Sequence, residues 1–184
     1  MARVSDQEQT LWGRVPGLSS RMKISPKKRF GQHFLRDTGI LERIIQLVRP
    51  APQDLFIEIG AGEGALTARL APLVSKILAI EIDRDRIGQL CEVLAPFPQA
   101  SILQGDVLKL DLPGLITPHL EKGSRLRVIG NLPYNIGTAI IERLLRMNLP
   151  IEDLLVMVQL EVGQRIAAPP GSKQYGYLSV VCQH

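Results

Sequence analysis

Leu55-Phe56-Ile57-Glu58-Ile59-Gly60-Ala61-Gly62-Glu63-Gly64 is the stretch from which the fold can be read. Its first half is an apolar run of strand length, and it passes without a break into a turn with glycine at every second position. Leu66, Leu70 and Leu73 follow and predict a helix. Strand, glycine-rich turn and helix make a nucleotide-binding arrangement, because glycines let the backbone approach a ligand closely at a helix N-terminus. The spacing is G-x-G-x-G, whereas a dinucleotide pyrophosphate is held by G-x-G-x-x-G. Glu58, directly before the turn, brings a carboxylate that disfavours a pyrophosphate and suits a cationic ligand. S-adenosylmethionine, with a sulfonium and an ammonium group, is such a ligand. The spacing, and the lack of any hydride-transfer constellation, argue against an NAD-dependent oxidoreductase.

Working outward, Ile77-Leu78-Ala79-Ile80 predicts a second strand that ends at Glu81-Ile82-Asp83. Glu81 lies about twenty positions beyond Gly60, the spacing at which an acidic residue meets ribose hydroxyls. Asp83 and Asp85 read as solvated charges ahead of a helix over 84–94, which Pro96 and Pro98 close. Ile102-Leu103 is a short third strand followed by Gly105-Asp106, and Asp106 is placed to accept a hydrogen bond from an adenine amino group. Upstream, Asp37 or Thr38 caps a helix through Ile40, Leu41, Ile44, Ile45 and Val48, ended by Pro50 and Pro52.

Leu126, Val128 and Ile129 read as a fourth strand, and it delivers Asn131-Leu132-Pro133-Tyr134 into a loop. In open α/β sheets the carboxyl ends of the strands are where ligands bind. An exocyclic amino group on a flat base could use this whole loop. The Asn131 side-chain oxygen and a backbone carbonyl beside Pro133 accept its N–H hydrogens, and Tyr134 stacks on the ring. The plain alternative is a strand followed by a proline turn. Thr138 is expected to cap a helix through Ile140, Ile141, Leu144 and Leu145, stopping near Asn148-Leu149-Pro150. Leu154 to Val158 is an apolar fifth strand, residues 161–168 look helical, and 169–176 form a loop carrying Lys173 and Tyr175. Leu178 to His184 reads as a last helix; His119, in a proline-flanked loop, and His184 are assigned no role. Strands alternating with helices predict a parallel sheet with right-handed crossovers.

Composition sets bounds on function. Of 184 residues, 45% are hydrophobic and 22% charged, which suits a soluble globular protein with room for one domain. No apolar run reaches membrane-spanning length, and the polar N-terminus lacks the apolar stretch of a signal peptide. Cys91 and Cys182 lie far apart and read as free thiols in a reducing, cytoplasmic compartment, with no disulfide or metal site expected. The net charge of +4 is concentrated in residues 1–30, which end in Lys27-Lys28-Arg29. A basic arm on a near-neutral body is the pattern expected of a phosphate-backbone contact, with a merely solubilising tail as the alternative for residues 1–22.

Five stretches taken together resemble a known family. They are Phe30-Gly31-Gln32-His33-Phe34-Leu35, Glu58-Ile59-Gly60-Ala61-Gly62, Glu81-Ile82-Asp83, Gly130-Asn131-Leu132-Pro133-Tyr134-Asn135, and the run from Gly171-Ser172-Lys173 through Tyr175-Gly176-Tyr177 to Val180. In this order, over residues 27–184, they are similar to the KsgA-type small-subunit ribosomal RNA adenine dimethyltransferases. The resemblance implies a class I S-adenosylmethionine-dependent methyltransferase fold, Rossmann-like, with a mainly parallel sheet flanked by helices. It implies an enzyme that methylates N6 of two adjacent adenines in a hairpin near the 3′ end of small-subunit rRNA during ribosome biogenesis. By position it implies that His33, Leu35, Gly60, Gly62, Glu81, Asp106 and Asn131 hold the cofactor. His33 touches it from the N-terminal segment, where family members often have Asn. The target adenine would meet Asn131, Leu132, Pro133 and Tyr134, and the RNA would meet Lys27, Lys28, Arg29 and Lys173.

The resemblance further divides the chain into a basic arm over 1–26 and a cofactor-binding methyltransferase domain over 27–184, acting as a monomer on the immature small ribosomal subunit without metal or membrane. Family members continue with two more strands and a helical C-terminal domain, so the chain reads as a fragment or truncated product, its fifth strand left as a sheet edge. Two other functions fit less well. The large-subunit rRNA methyltransferases of macrolide resistance usually carry Ile at the position of Leu132, and a non-catalytic RNA-binding or ribosome-assembly module would need only the binding surfaces.

Overall fold

Asp54 and the five apolar or acidic residues after it form the innermost strand of the protein, with every residue buried. The computed structural model describes residues 37–183. Its sheet contains β1 (Asp54–Ile59), β2 (Lys76–Glu81), β3 (Ala100–Gln104), β4 (Arg125–Asn131) and β5 (Ile151–Met157). The order is β3-β2-β1-β4-β5, and all four pairings are parallel. The chain therefore builds outward from β1 to β3, then returns to the far side of β1 for β4 and β5. The strand order reverses between β1 and β4, and a crevice opens at such a point at the carboxyl ends of the strands. Among the described residues β5 is paired on one side only, so it stands at the edge, as expected. None of the described helices is long and apolar enough to cross a membrane.

Alternation along the strands fills two layers of core. Leu55, Ile57 and Ile59 of β1 point, with Leu126 and Val128 of β4, toward α4 (Leu112–Ile116) and α5 (Gly137–Arg146). Phe56 and Ile129 point the other way, toward α1 (Thr38–Val48) and α2 (Thr67–Leu70). The third helix on that second face, α3 (Arg84–Leu94), packs Leu90 and Leu94 over Ala79 of β2. Two short helices, α6 (Leu160–Ile166) and α7 (Tyr177–Gln183), follow β5 and close the first face with Ile166 and Cys182.

Local chemistry sets the element boundaries. Asp37 caps α1, its carboxylate accepting from the Ile40 amide at 3.0 Å, and Arg49 ends the helix in the left-handed region ahead of Pro50. The helix expected over Leu66 to Leu73 is shorter: α2 is a single turn and passes into a 3-10 turn over Ala71–Leu73. Pro72 has no N–H, and its ring would clash with the carbonyl of residue 68 if the α-helix continued. Thr138 is not the cap of α5. Ile136 holds that position without a side-chain cap, because Pro133 has already started the turn, its carbonyl accepting from the Gly137 amide at 2.9 Å. The segment read as a loop around His119 holds α4, capped by Asp111, and a 3-10 turn over Thr117–His119.

The amino end of the sheet carries a buried ion-pair cluster. Asp54 is fully buried and accepts from Arg125 Nε at 2.7 Å and Arg127 Nη1 at 3.0 Å. Arg127 also grips Asp153 of β5 with two hydrogen bonds, at 2.8 and 2.5 Å, and lies over the Phe56 ring. Three strands are thus tied by side chains below the level of the site. Burial pushes the Asp54 carboxyl up, but the hydrogen bonds from Arg125, the Ala51 amide and Arg127 outweigh it and hold the group below its ordinary value of 3.8. A lowered folded-state value means that this cluster stabilises the protein above about pH 4 and ceases to do so as the pH falls through the folded value. We expect Arg127→Met to lower stability at neutral pH by about 3 kcal/mol, measured by denaturant unfolding. Asp54→Asn should flatten the loss of stability below about pH 4, and an unchanged acid limb would contradict this assignment.

Candidate active site

Four strand ends meet at the carboxyl rim, where β1 and β4 approach each other closely. A Cβ at Gly130 would stand 2.6 Å from the Ile59 carbonyl oxygen, so only glycine allows β4 to lie this near β1 there. One residue further on, a Cβ at Gly60 would stand 3.3 Å from the Asn131 carbonyl, and Gly60 has φ +75°. Backbone alone fills the seam at which the strand order reverses. Gly60 and Ala61 then turn back over β2, both amides donating to the Ile80 carbonyl, at 2.9 and 3.2 Å. The turn is held from behind by α3, since Gly64 lies against Leu90 and Val93.

Glu81 does more than end β2. Its carboxylate accepts from the Gly62 amide and from the Asp83 amide, each at 2.8 Å, and the residue is 1% exposed. It therefore holds the glycine turn to the β2–α3 loop. A carboxylate is the kind of acceptor that a ribose hydroxyl would need. Its backbone carbonyl accepts from the Gly105 amide at 2.9 Å, which draws the end of β3 into the same rim. Asp106 comes next. Its carboxylate accepts from the Leu108 amide at 3.0 Å and pairs with Lys109 at 3.6 Å while remaining partly open to solvent. Arg143 of α5 donates to the Leu110 carbonyl at 2.7 Å and ties this loop to the helix that follows the Asn131 turn.

Asn131 is the last residue of β4 and is half-buried, while Tyr134, 46% exposed, presents its ring at the surface. Leu132 turns its side chain into the core at 2% exposure, and its amide donates to the Met157 carbonyl at 3.0 Å. Pro133 uses its own carbonyl to start α5, accepting from Ile136 and Gly137. The structure thus brings Gly60, Gly62, Glu81, Asp106 and the residues of the Asn131 turn together at one rim. Lys173 is exposed in the connection between α6 and α7, and among the described residues no hydrogen bond or ion pair joins it to that rim. Lys27, Lys28, Arg29, His33 and Leu35 lie outside the described residues.

Two expectations are corrected. Asp83 is not solvated: it is 6% exposed, caps α3 by accepting from the Asp85 amide at 3.1 Å, and faces Arg86. Asp85 is exposed as expected. Glu58 is not a counter-charge for a cation. Its side chain lies on the α2 face of the sheet, buried, with the Thr67 hydroxyl at 2.5 Å. Burial raises its carboxyl to about 8, with the Thr67 hydrogen bond pulling down and the neighbouring Glu81 pushing up, so the group is mostly protonated at neutral pH. Sequence reasoning missed Thr67 and Arg86, because neither has a sequence spacing that announces the contact it makes.

Two predictions follow from this geometry. Gly130→Ala should force β4 away from Ile59, lowering stability by about 1–3 kcal/mol in denaturant titrations and disturbing the Asn131 turn with it. Glu58 keeps its proton in the folded protein between its ordinary value of 4.5 and about 8, where the unfolded chain has released it. Stability must therefore decline across that window as the pH rises, and Glu58→Gln should remove the decline. Unfolding curves for both proteins that stay parallel from about pH 5 to about pH 8 would refute the assignment.

The chain was compared with known proteins. A family model described as ribosomal RNA adenine dimethylase matches residues 24–184. The ribosomal RNA small subunit methyltransferase A of Shouchella clausii is 45% identical over 158 residues, covering 86% of this chain and 53% of that protein. The protein of the same description from Chromohalobacter salexigens is 46% identical over 158 residues, 86% of this chain and 56% of that one. The chain thus spans about half the length of these curated relatives. Among solved structures, a dimethyladenosine transferase from Plasmodium falciparum superposes with a TM-score of 0.72 at 27% identity, over 82% of this chain and 52% of that one. The 23S rRNA methyltransferase ErmE superposes with a TM-score of 0.62 at 28% identity, over 72% of this chain and 50% of that one. The sheet order, the glycine turn and the Asn131 turn have the class I methyltransferase arrangement, and the chain belongs to the ribosomal RNA adenine dimethylase family.

Proposed function

We infer that this chain is the cofactor-binding catalytic domain of an S-adenosylmethionine-dependent dimethyltransferase. Its substrate would be N6 of two adjacent adenines in a hairpin near the 3′ end of small-subunit rRNA. The observation that carries this reading is the seam between Gly60 and Asn131, which sets a glycine turn and an amide-proline-aromatic turn side by side at the reversal of strand order. The two curated relatives named above are both small-subunit methyltransferases, which favours that rRNA over the large-subunit one.

The residues at the rim fit the cofactor. The Gly60 turn offers backbone with no Cβ in the way, and the Glu81 and Asp106 carboxylates are acceptors of the kind that a ribose hydroxyl and an adenine amino group would need. Bound there, S-adenosylmethionine would supply a methyl group on an electrophilic sulfonium. The protein's own residues would then have to place the nucleophile. The adenine amino lone pair is delocalised into its ring. Accepting both N–H hydrogens favours a pyramidal, more nucleophilic nitrogen. The Asn131 side-chain oxygen is one acceptor. Since the Pro133 carbonyl is engaged with α5, the peptide oxygen beside Pro133 that remains for the second bond is that of Leu132. Tyr134 would stack on a base taken out of its helix. Catalysis of this kind comes mostly from positioning.

Calorimetric titration with S-adenosylhomocysteine should give micromolar binding, and incubation of immature small subunits with labelled S-adenosylmethionine should yield dimethyladenosine. Asn131→Ala and Tyr134→Ala should each abolish transfer while leaving much of the cofactor affinity; near-normal turnover in either would sink this mechanism. Label appearing in large-subunit rRNA would point to the macrolide-resistance activity instead. Cofactor binding with transfer to neither RNA would favour an assembly module.

A further inference from the structure

Arg86 sits in the first turn of α3, where the helix dipole opposes a cation, and it is buried there at 3% exposure. Two carboxylates offset that placement. Arg86 Nη1 lies 3.5 Å from Glu63, inside the glycine turn, and Arg86 Nε lies 3.6 Å from Asp83, in the β2–α3 loop. These two partners belong to the two loops that Glu81 already joins, through the Gly62 and Asp83 amides. The contacts close a ring. It runs from Gly62 through its peptide neighbour Glu63 to Arg86, on to the Asp83 side chain, through the Asp83 amide to Glu81, and back to the Gly62 amide.

We propose that Arg86 is a positioning residue for the cofactor site, bracing the glycine turn and the Glu81 carboxylate from behind. The proposal rests on the cofactor reading above and adds a buried residue whose part is to hold the two loops. A carboxylate held by two amides can swing if either amide moves, and both amides flank the acidic residues that Arg86 holds. Arg86 also brings positive charge to a rim that gathers Glu63, Glu81 and Asp83, so it limits the repulsion that would otherwise spread the two loops. The guanidinium is suited to this task because it reaches two carboxylates at once, which a lysine ammonium does less well.

The test is titration of the whole chain with S-adenosylhomocysteine, alongside amide hydrogen exchange at Gly62 and Asp83. Arg86→Met should lose about tenfold in affinity, typical of removing one member of a coupled network, and both amides should exchange faster. Arg86→Lys should recover part of both. Arg86→Met binding as tightly as the parent, or exchanging unchanged at both amides, would overturn the proposal. If Arg86→Met does not fold, Glu63→Gln takes its place, since Glu63 is partly exposed and its loss opens the same ring. That variant should weaken binding and speed exchange at Gly62, and parent-like behaviour in both would again overturn the brace. A parent chain that binds no S-adenosylhomocysteine would remove the cofactor reading alone. The exchange rates would still decide whether Arg86 holds the two loops.

Discussion

Gly130 lies so close to β1 that no side chain could stand between them, and most of the site depends on that contact. Among the described residues β1 is the strand that joins the two halves of the sheet, pairing with β2 on one side and β4 on the other. Because the chain builds the two halves in opposite directions from β1, the connections leave the rim on different faces and a crevice opens between β1 and β4. Gly60 and Asn131 flank it. With a Cβ at position 130 the strands would separate, and the turn carrying Asn131 and Tyr134 would move away from the glycine turn.

Above this seam, polar contacts organise the rim in a way that apolar packing does not. Glu81 joins the glycine turn to the β2–α3 loop, its backbone carbonyl draws in Gly105, and Arg143 reaches across to the Leu110 carbonyl. The carboxylates nearby do not share one environment. Glu58 is buried and mostly protonated at neutral pH, whereas Asp106 is partly open and paired with Lys109. Acidic residues that look equivalent in the sequence are thus separated into a structural acid, a loop clamp and a carboxylate partly open to solvent at the rim. At the far end of the same strands, the Asp54–Arg127–Asp153 cluster ties β1, β4 and β5 by side-chain ion pairs, so charge joins strands there and joins loops at the rim.

How much of this was legible in advance varies by residue. The order of strands and helices was legible, because buried parallel strands are short continuous apolar runs and prolines and caps mark the ends of the helices. The Gly60 turn, Glu81, Asp106 and the Asn131 turn were legible as neighbours on one rim, because strand ends in such a sheet must share it. The short 112–116 helix was missed, although Asp111 followed by Pro113 is a start signal. Thr138 was misjudged because a turn already begun at Pro133 starts α5 earlier than the nearest capping residue suggests.

What the sequence determined by itself is what depends on neighbours along the chain: periodicity, turn chemistry, and which residue types stand at each strand end. What only the tertiary structure decided is what depends on distance through space. The protonation of Glu58 follows from burial and from proximity to Glu81, against the pull of the Thr67 hydrogen bond, and no spacing encodes this balance. Asp83 becomes a buried partner because Arg86 folds back onto it, and Arg86 can do so because Glu63 closes on it from another loop. Electrostatic environment is set by what lies within a few ångströms, and the chain brings those groups together only once β1, β2 and β4 have paired.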